Sequence, residues 1–232
     1  MPSVPRWIDS VVKALGLPEN KGQNVFQMAT VDASGKPKVR TLVHRELFQP
    51  SGRPNLPVIL TTTDVRSPKV QELRANPYAE LCWWMEGSKD QFRISGPVRV
   101  IPSPHADRTA WVKGEPSVAF DVVEEQGFDW EKKRSEVFDN MSAHMKASWC
   151  RPPPGSVLQS YQEAKKWTGK VPKLGEAESE DDRRNQEQAL QNFALVLIEA
   201  VEVDWVQLGE QPNRRTRFLR VGEEWTEEIS VP

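Results

Sequence analysis

Cysteine and histidine are scarce in this chain of 232 residues, which holds only Cys82, Cys150, His44, His105 and His144. Two cysteines build no disulfide framework and no CxxC motif, a usage that fits an intracellular, reducing setting. The histidines show no metal-ligand spacing, so no zinc or iron site is expected. Excess charge of one sign is also missing. Thirty-one basic residues stand against 33 acidic ones, which argues against a broad polyanion-binding surface and a nucleic-acid partner. No apolar run reaches the 18 residues of a membrane span, and residues 1–7 lack the apolar core of a signal peptide. A soluble cytoplasmic protein is the expectation. GxGxxG after a strand, the Walker loop and the GxSxG elbow are absent too, which removes the common signatures of dinucleotide, nucleotide and hydrolase sites.

The chain is long enough for one domain with a full core. Its nine tryptophans can fill that core and its interfaces, or line a flat aromatic pocket. Residues 7–16 have helical periodicity and stop at Gly16. Strands are predicted over 24–31, 38–48, 58–63, 79–85 and 90–101, with the turn of the first hairpin at Asp32-Ala33-Ser34-Gly35. Ser67 can cap a helix over 68–75, with Pro68 at its first position. Five or six antiparallel strands in the first hundred residues suggest a barrel. Residues 104–114 and 131–149 read as helical. The acidic stretch between 165 and 188 reads as a solvated loop or mobile excursion. Strands return over 193–205, and a last hairpin runs 215–231. The expected organisation is one domain over 1–232, mainly β with flanking helices. A helical insertion near 103–150 and a polar excursion near 165–190 interrupt it.

The densest chemistry lies in 37–45 and 62–69. A strand carries Arg40 and Arg45, and the hydroxyls of Thr62, Thr63 and Ser67 lead to Lys69. Hydroxyls and cations at a strand-to-helix junction suit a phosphate, since a dianion needs fixed positive charge and several donors. Arg40 and Arg45 have odd spacing, so a regular strand aims them at opposite faces unless it twists or bulges.

Three pieces of sequence occur in an informative order. They are Ala29-Thr30-Val31-Asp32-x-x-Gly35-x-Pro37-x-x-Arg40, then Ser67-x-Lys69 with Asn76-Pro77, and finally Arg215-x-Arg217-Phe218 with Trp225 and Val231-Pro232. Together they resemble the pyridoxamine 5'-phosphate oxidase family, with gaps, from Gln27 to Pro232. The resemblance implies an antiparallel FMN-binding split β-barrel (α+β), working as a homodimer with FMN at the subunit interface. It implies FMN contacts from Arg40, Thr41 and Leu42, and from Thr62, Thr63, Ser67 and Lys69. Arg45, where lysine is usual, would lie nearer the flavin ring and substrate. Gln91 would stand beside the ring and tune its electron affinity, and Trp205 and Arg217 would close the site from the second subunit.

The departures from the family pattern concern substrate more than cofactor. Pro68 replaces an arginine, and Arg66 either supplies that charge or is a solvated turn residue. Asn213 and Arg215 replace the Arg-x-His pair of the pyridoxamine enzyme, leaving Arg215 as a substrate-side candidate. Trp149-Cys150-Arg151-Pro152-Pro153-Pro154-Gly155-Ser156 stands where the family has a Gln-Ser pair. Arg151 and Ser156 either touch the flavin or belong to a rigid polyproline loop without a ligand. The expected function is an FMN-dependent oxidoreductase of the general flavoprotein branch, acting on a small molecule other than pyridoxamine phosphate. The alternatives are a non-catalytic flavin-binding or sensing protein, or a split barrel holding haem or a deazaflavin. The sequence identifies no catalytic acid or base.

Overall fold

The first hundred positions hold six antiparallel strands: β1 Val25–Val31, β2 Pro37–Val43, β3 Glu46–Phe48, β4 Val58–Asp64, β5 Tyr78–Met85 and β6 Asp90–Ile101. Apolar residues alternate in burial along β1, β5 and much of β6, and burial is continuous along β4. The C-terminal part adds β7 Phe193–Glu199, β8 Glu202–Gln207, β9 Arg214–Val221 and β10 Glu224–Ser230. The structure is a computed structural model describing residues 4–106, 111–112 and 117–232. One path of the sheet runs β10-β9-β8-β6-β5-β1-β2, and a branch leads from β6 through β7 and β4 to β3.

The two branches part within β6. Residues 90–95 of that strand pair with β8, and residues 98–101 pair with β7. Gly96 lies between them, and a Cβ there would sit 1.7 Å from the carbonyl oxygen of Glu199. Only glycine lets the two backbones approach this closely. The sheet curls without closing, so the architecture is the antiparallel split β-barrel that the sequence suggested.

Alternation along the shared strands divides the apolar residues between two cores. Ile59, Val98, Val100, Val196 and Ile198 face the barrel interior with Phe26, Met28, Trp83 and Phe92. Val58, Leu60, Leu195 and Leu197 face the other side. That side is covered by helices α3 Val118–Glu125, α4 Trp130–Asp139 and α6 Glu180–Asn192, and by the short helix α5 Ala143–Lys146. Helix α1 Arg6–Gly16 inserts Trp7, Ile8 and Val11 into the barrel core, and α2 Pro68–Ala75 adds Val70 and Leu73. Behind the barrel, the buried guanidinium of Arg220 pairs with the carboxylate of Glu199, which also accepts the Ala119 N–H. This pair ties β9 to β7 and to the start of α3.

Several sequence expectations change here. The predicted strand 38–48 is broken at His44 and Arg45. The His44 N–H donates to Asn24 and ends the pairing with β1, whereas the Arg45 N–H donates to Leu60 and begins the pairing with β4. Within 104–114 the described residues form a turn and a bridge between Val112 and Val100, not a helix; residues 107–110 and 113–114 lie outside the described residues. The predicted helix 131–149 is three short pieces, α4, α5 and a 3₁₀ turn at Ala147–Cys150. The acidic excursion is corrected most strongly, because its second half is helix α6. A reciprocal capping box between Ser179 and Asp182 starts it, and Glu180–Arg183 and Asp181–Arg184 ion pairs support its first turns. Its buried Gln186 and Ala189 then anchor it.

Candidate functional site

The end of β4 and the start of α2 form a hydroxyl-and-ammonium cluster. Ser67 stands at the N-cap position of α2, yet its hydroxyl does not cap the helix as the sequence suggested. It turns instead to Thr63, 3.1 Å away, and Lys69 donates to both hydroxyls at 3.0 and 3.1 Å. Among the described residues no carboxylate lies within salt-bridge distance of Lys69. Burial lowers its pKa, and the Arg40 charge lowers it further against the opposing fields of Asp64 and Glu72. A half-buried ammonium held by neutral hydroxyls is an arrangement that an anion would stabilise.

This cluster opens into a cavity of about 460 Å³ that also reaches Thr62, Trp149, Arg151, Gly155 and Trp167. The 149–151 backbone is pinned to the strand end. Trp149 donates its indole N–H to the Thr63 carbonyl, and Asn192 donates to the Trp149 carbonyl. Arg66 grips both carboxylate oxygens of Asp64 and donates to the carbonyls of Trp149 and Arg151. It is thus neither a solvated turn residue nor a free phosphate ligand, and its guanidinium organises the loop.

Arg40 shares a face with Met28 and Thr30, and its guanidinium pairs with Glu72 of α2 and donates to Thr30. It braces the first hairpin against α2 beside Lys69. Thr41 points to the opposite, exposed face, whereas Leu42 packs on the barrel core. The strand break after Val43 separates Arg45 from Arg40. Arg45 reaches Met145 of α5, with a partnerless buried Nε and a pKa lowered by burial. The neighbouring His44 ring lies 4.8 Å from that of Trp83 and is half-buried. Burial lowers its pKa to about 4, against the raising effect of Glu46.

The remaining candidates lie on the outer face of the β6, β8 and β9 strands. Gln91 faces outward there, as do Arg93 and Ser95 of the same strand. Arg215 forms a bidentate pair with the buried Asp204, at 2.9 and 2.7 Å, and Arg93 shares that carboxylate. Burial raises the Asp204 pKa, but the hydrogen bonds from Arg215 and Arg93 prevail and hold it below the usual carboxylate range. Arg217 donates to Glu202 at 2.8 Å. These residues line a separate cavity of about 210 Å³. Trp205 points the other way, into the barrel core. It stacks on Phe92 at 5.4 Å, donates to Asp90 and carries the Arg6 guanidinium on its ring. An indole so engaged and 7% exposed packs within its own subunit, with part of its edge on a separate cavity of about 280 Å³ beside Asp90 and Gln207. Sequence reasoning missed Asp64, Glu72 and Asp204, which hold these arginines. Only the alternation of Glu202 and Asp204 with apolar neighbours hinted at the last.

The comparisons with known proteins converge. Residues 4–102 match the family model of the pyridoxamine 5'-phosphate oxidase FMN-binding domain. The chain is 27% identical over 216 residues to pyridoxine/pyridoxamine 5'-phosphate oxidase 2 of Arabidopsis thaliana, covering 89% of this chain and 86% of that protein. A pyridoxine/pyridoxamine 5'-phosphate oxidase of Microcystis aeruginosa is 31% identical, over 47% of this chain and 45% of its own length. Among solved structures, a pyridoxamine 5'-phosphate oxidase-related, FMN-binding protein of Nostoc punctiforme superimposes with a TM-score of 0.72, at 23% identity over 99% of this chain and 100% of that one. PhzG of Burkholderia lata, in complex with tetrahydrophenazine-1-carboxylic acid, gives 0.57 at 16% identity over 98% of this chain and 89% of that one.

The donor set fits FMN. Among the described residues Lys69 is bonded to hydroxyls and has no carboxylate within salt-bridge distance, Asp64 on the same cavity is held by Arg66, and Arg45 and Arg151 each bury an Nε without a partner. Family model, relatives and fold thus agree: residues 4–102 match the FMN-binding domain of the pyridoxamine 5'-phosphate oxidase type, the chain is similar over most of its length to a pyridoxine/pyridoxamine 5'-phosphate oxidase, and its fold is that of the related FMN-binding split barrels.

Proposed function

We propose that this protein is an FMN-dependent oxidoreductase acting on a small substrate, as a cytoplasmic homodimer with its FMN sites at the subunit interface. The observation that carries the reading is the half-buried Lys69 ammonium, bonded to Thr63 and Ser67 and open to a cavity of about 460 Å³. Lys69, Thr63 and Ser67 hold the cofactor phosphate, with Thr62 in the same cavity. Arg40 contributes its field and keeps α2 in place, and Arg45 lies toward the ring. Bound FMN supplies two-electron hydride acceptance. The chain supplies phosphate clamping, ring contacts and exclusion of water. Gln91, Arg215 and Arg217 lie away from the Lys69 cavity, the two arginines lining the smaller one, and a second subunit is the means of uniting the two sets.

Pyridoxamine phosphate is not the preferred substrate on this reading, because Arg215 is saturated by Asp204 and Asn213 carries no charge. The test starts from the purified protein, which should be yellow or take up FMN when reconstituted. A chain that stays colourless with added FMN defeats the proposal. Anaerobic mixing with reduced nicotinamide should then bleach the flavin, whereas pyridoxamine phosphate should give little or no turnover. Absence of bleaching by any reductant leaves a flavin binder, and efficient formation of pyridoxal phosphate contradicts the substrate argument.

A further inference from the structure

The loop at 149–156 brings Arg151 to the lining of the Lys69 cavity, where Asp64 is taken up by Arg66. Among the described residues Arg151 has no ion-pair partner, its Nε is buried without a hydrogen bond, and its guanidinium lies 5.7 Å from the Trp167 ring. The other cations around the cavity mouth are engaged: Arg40 by Glu72, Arg66 by Asp64, and Lys69 by two hydroxyls. The backbone that carries Arg151 is fixed, because Arg66 and Asn192 hold the carbonyls of residues 149 and 151. Three consecutive prolines, Pro152 to Pro154, stiffen the rest of the loop, so little ordering cost accompanies ligand binding.

Pro68 supplies the complementary observation. The resemblance leads one to expect an arginine there, beside the lysine. Here Gly155 lies against the Pro68 ring, with its Cβ position 3.7 Å from Cγ. The polyproline loop occupies the space beside position 68 and carries its own arginine into the same cavity as Lys69. We infer that Arg151 is the second cation of the phosphate site, a positioning residue for the cofactor that takes over the charge lost at Pro68. A phosphate monoester close to its dianion is matched by one ammonium and one guanidinium, and the guanidinium adds a planar fork.

This inference rests on the FMN reading, and the experiment separates the two. Apo-protein is titrated with FMN and, in parallel, with riboflavin, which carries the same ring without the phosphate. The wild type, Arg151→Met and Arg151→Lys are compared. Arg151→Met should weaken FMN binding about ten- to a hundredfold, the loss of one charge-assisted contact. Riboflavin binding and the apo melting temperature should not move, Arg151→Lys should recover part of the loss, and the salt dependence of FMN binding should flatten. Equal weakening of FMN and riboflavin overturns the inference in favour of a ring contact or loop packing on Trp167. Unchanged FMN affinity overturns it outright while leaving the FMN reading intact. Failure of the wild type to bind FMN removes both.

Discussion

Replacing Lys69 by methionine should divide the stability of the protein from its affinity for cofactor, with opposite signs. Methionine keeps most of the buried aliphatic volume and removes the ammonium. In the apo-protein that ammonium is bonded, among the described residues, to Thr63 and Ser67, and its pKa is lowered chiefly by burial. A lowered pKa means that at neutral pH the charged lysine is less at ease in the folded chain than in the unfolded one, so its removal relieves a cost. The Thr63 and Ser67 hydroxyls remain paired with each other. Apo Lys69→Met should therefore unfold at the same denaturant concentration as wild type or a higher one. FMN binding loses a charge-assisted contact of about 1.5–3 kcal/mol, which is about ten- to a hundredfold in Kd. The consequence for ligand stabilisation is set by mass action. FMN at one hundred times the wild-type Kd adds about 2.7 kcal/mol to wild type, but only about 1.4 to 0.4 kcal/mol to the variant. Denaturant melts with and without FMN read both quantities. A variant destabilised by more than about 1 kcal/mol without ligand, yet binding FMN as tightly as wild type, would show that Lys69 is a structural residue and that the phosphate lies elsewhere.

Two further predictions concern stability. His44 is neutral in the fold because burial, outweighing Glu46, lowers its pKa from 6.5 to about 4. As pH falls from 6.5 toward 4, the unfolded chain gains a proton that the folded chain refuses, costing at most about 3 kcal/mol. Melts of wild type and His44→Phe across that window should show wild type losing stability faster as pH falls; parallel curves would show that His44 does not titrate as described. Arg220→Met leaves the Glu199 carboxylate buried without its guanidinium, and should cost about 3–5 kcal/mol. Glu199→Gln combined with Arg220→Met should recover part of that loss, and a double variant no better than the single one would mean that the pair is not coupled.

The fold was legible where periodicity alone decides structure. The alternation in 25–31, 79–85 and 90–101 and the continuous apolar and threonine run of 58–63 specified strands whose partners lie nearby, and the hydroxyls before Lys69 marked the end of the sheet where the cavity opens. What escaped depended on contacts between distant parts of the chain. The break at His44 and Arg45 arises because Leu60 offers a carbonyl that β1 does not, and no local pattern records this. The acidic run from 180 looked too polar to fold, yet a capping box and a few buried residues suffice once the 3₁₀ turn after α5 covers one side. Arg66 looked available because Asp64, Trp149 and Arg151 take up its donors only in three dimensions. Trp205 was placed at the site by its position in a motif, whereas strand alternation turns it into the core beside Phe92.

The electrostatics of the two cavities explain why cofactor and substrate differ in how well they can be read. Around Lys69, the cations that face the cavity have hydroxyls or no ion-pair partner among the described residues, and the one carboxylate in its lining, Asp64, is already held by Arg66, so an incoming anion displaces no carboxylate from Lys69 or Arg151. On the outer face, Arg93 and Arg215 converge on Asp204, and Arg217 on Glu202. A phosphate arriving there would compete with carboxylates already in place, against part of the field that would attract it. On the proposed function, the first cavity therefore suits a dianion. The second suits a ligand with less charge, one that hydrogen-bonds to an arginine–carboxylate lattice without having to break it. On the proposed function, binding of the FMN phosphate in the first cavity and rejection of pyridoxamine phosphate at the second would both follow from that single difference in how the arginines are neutralised.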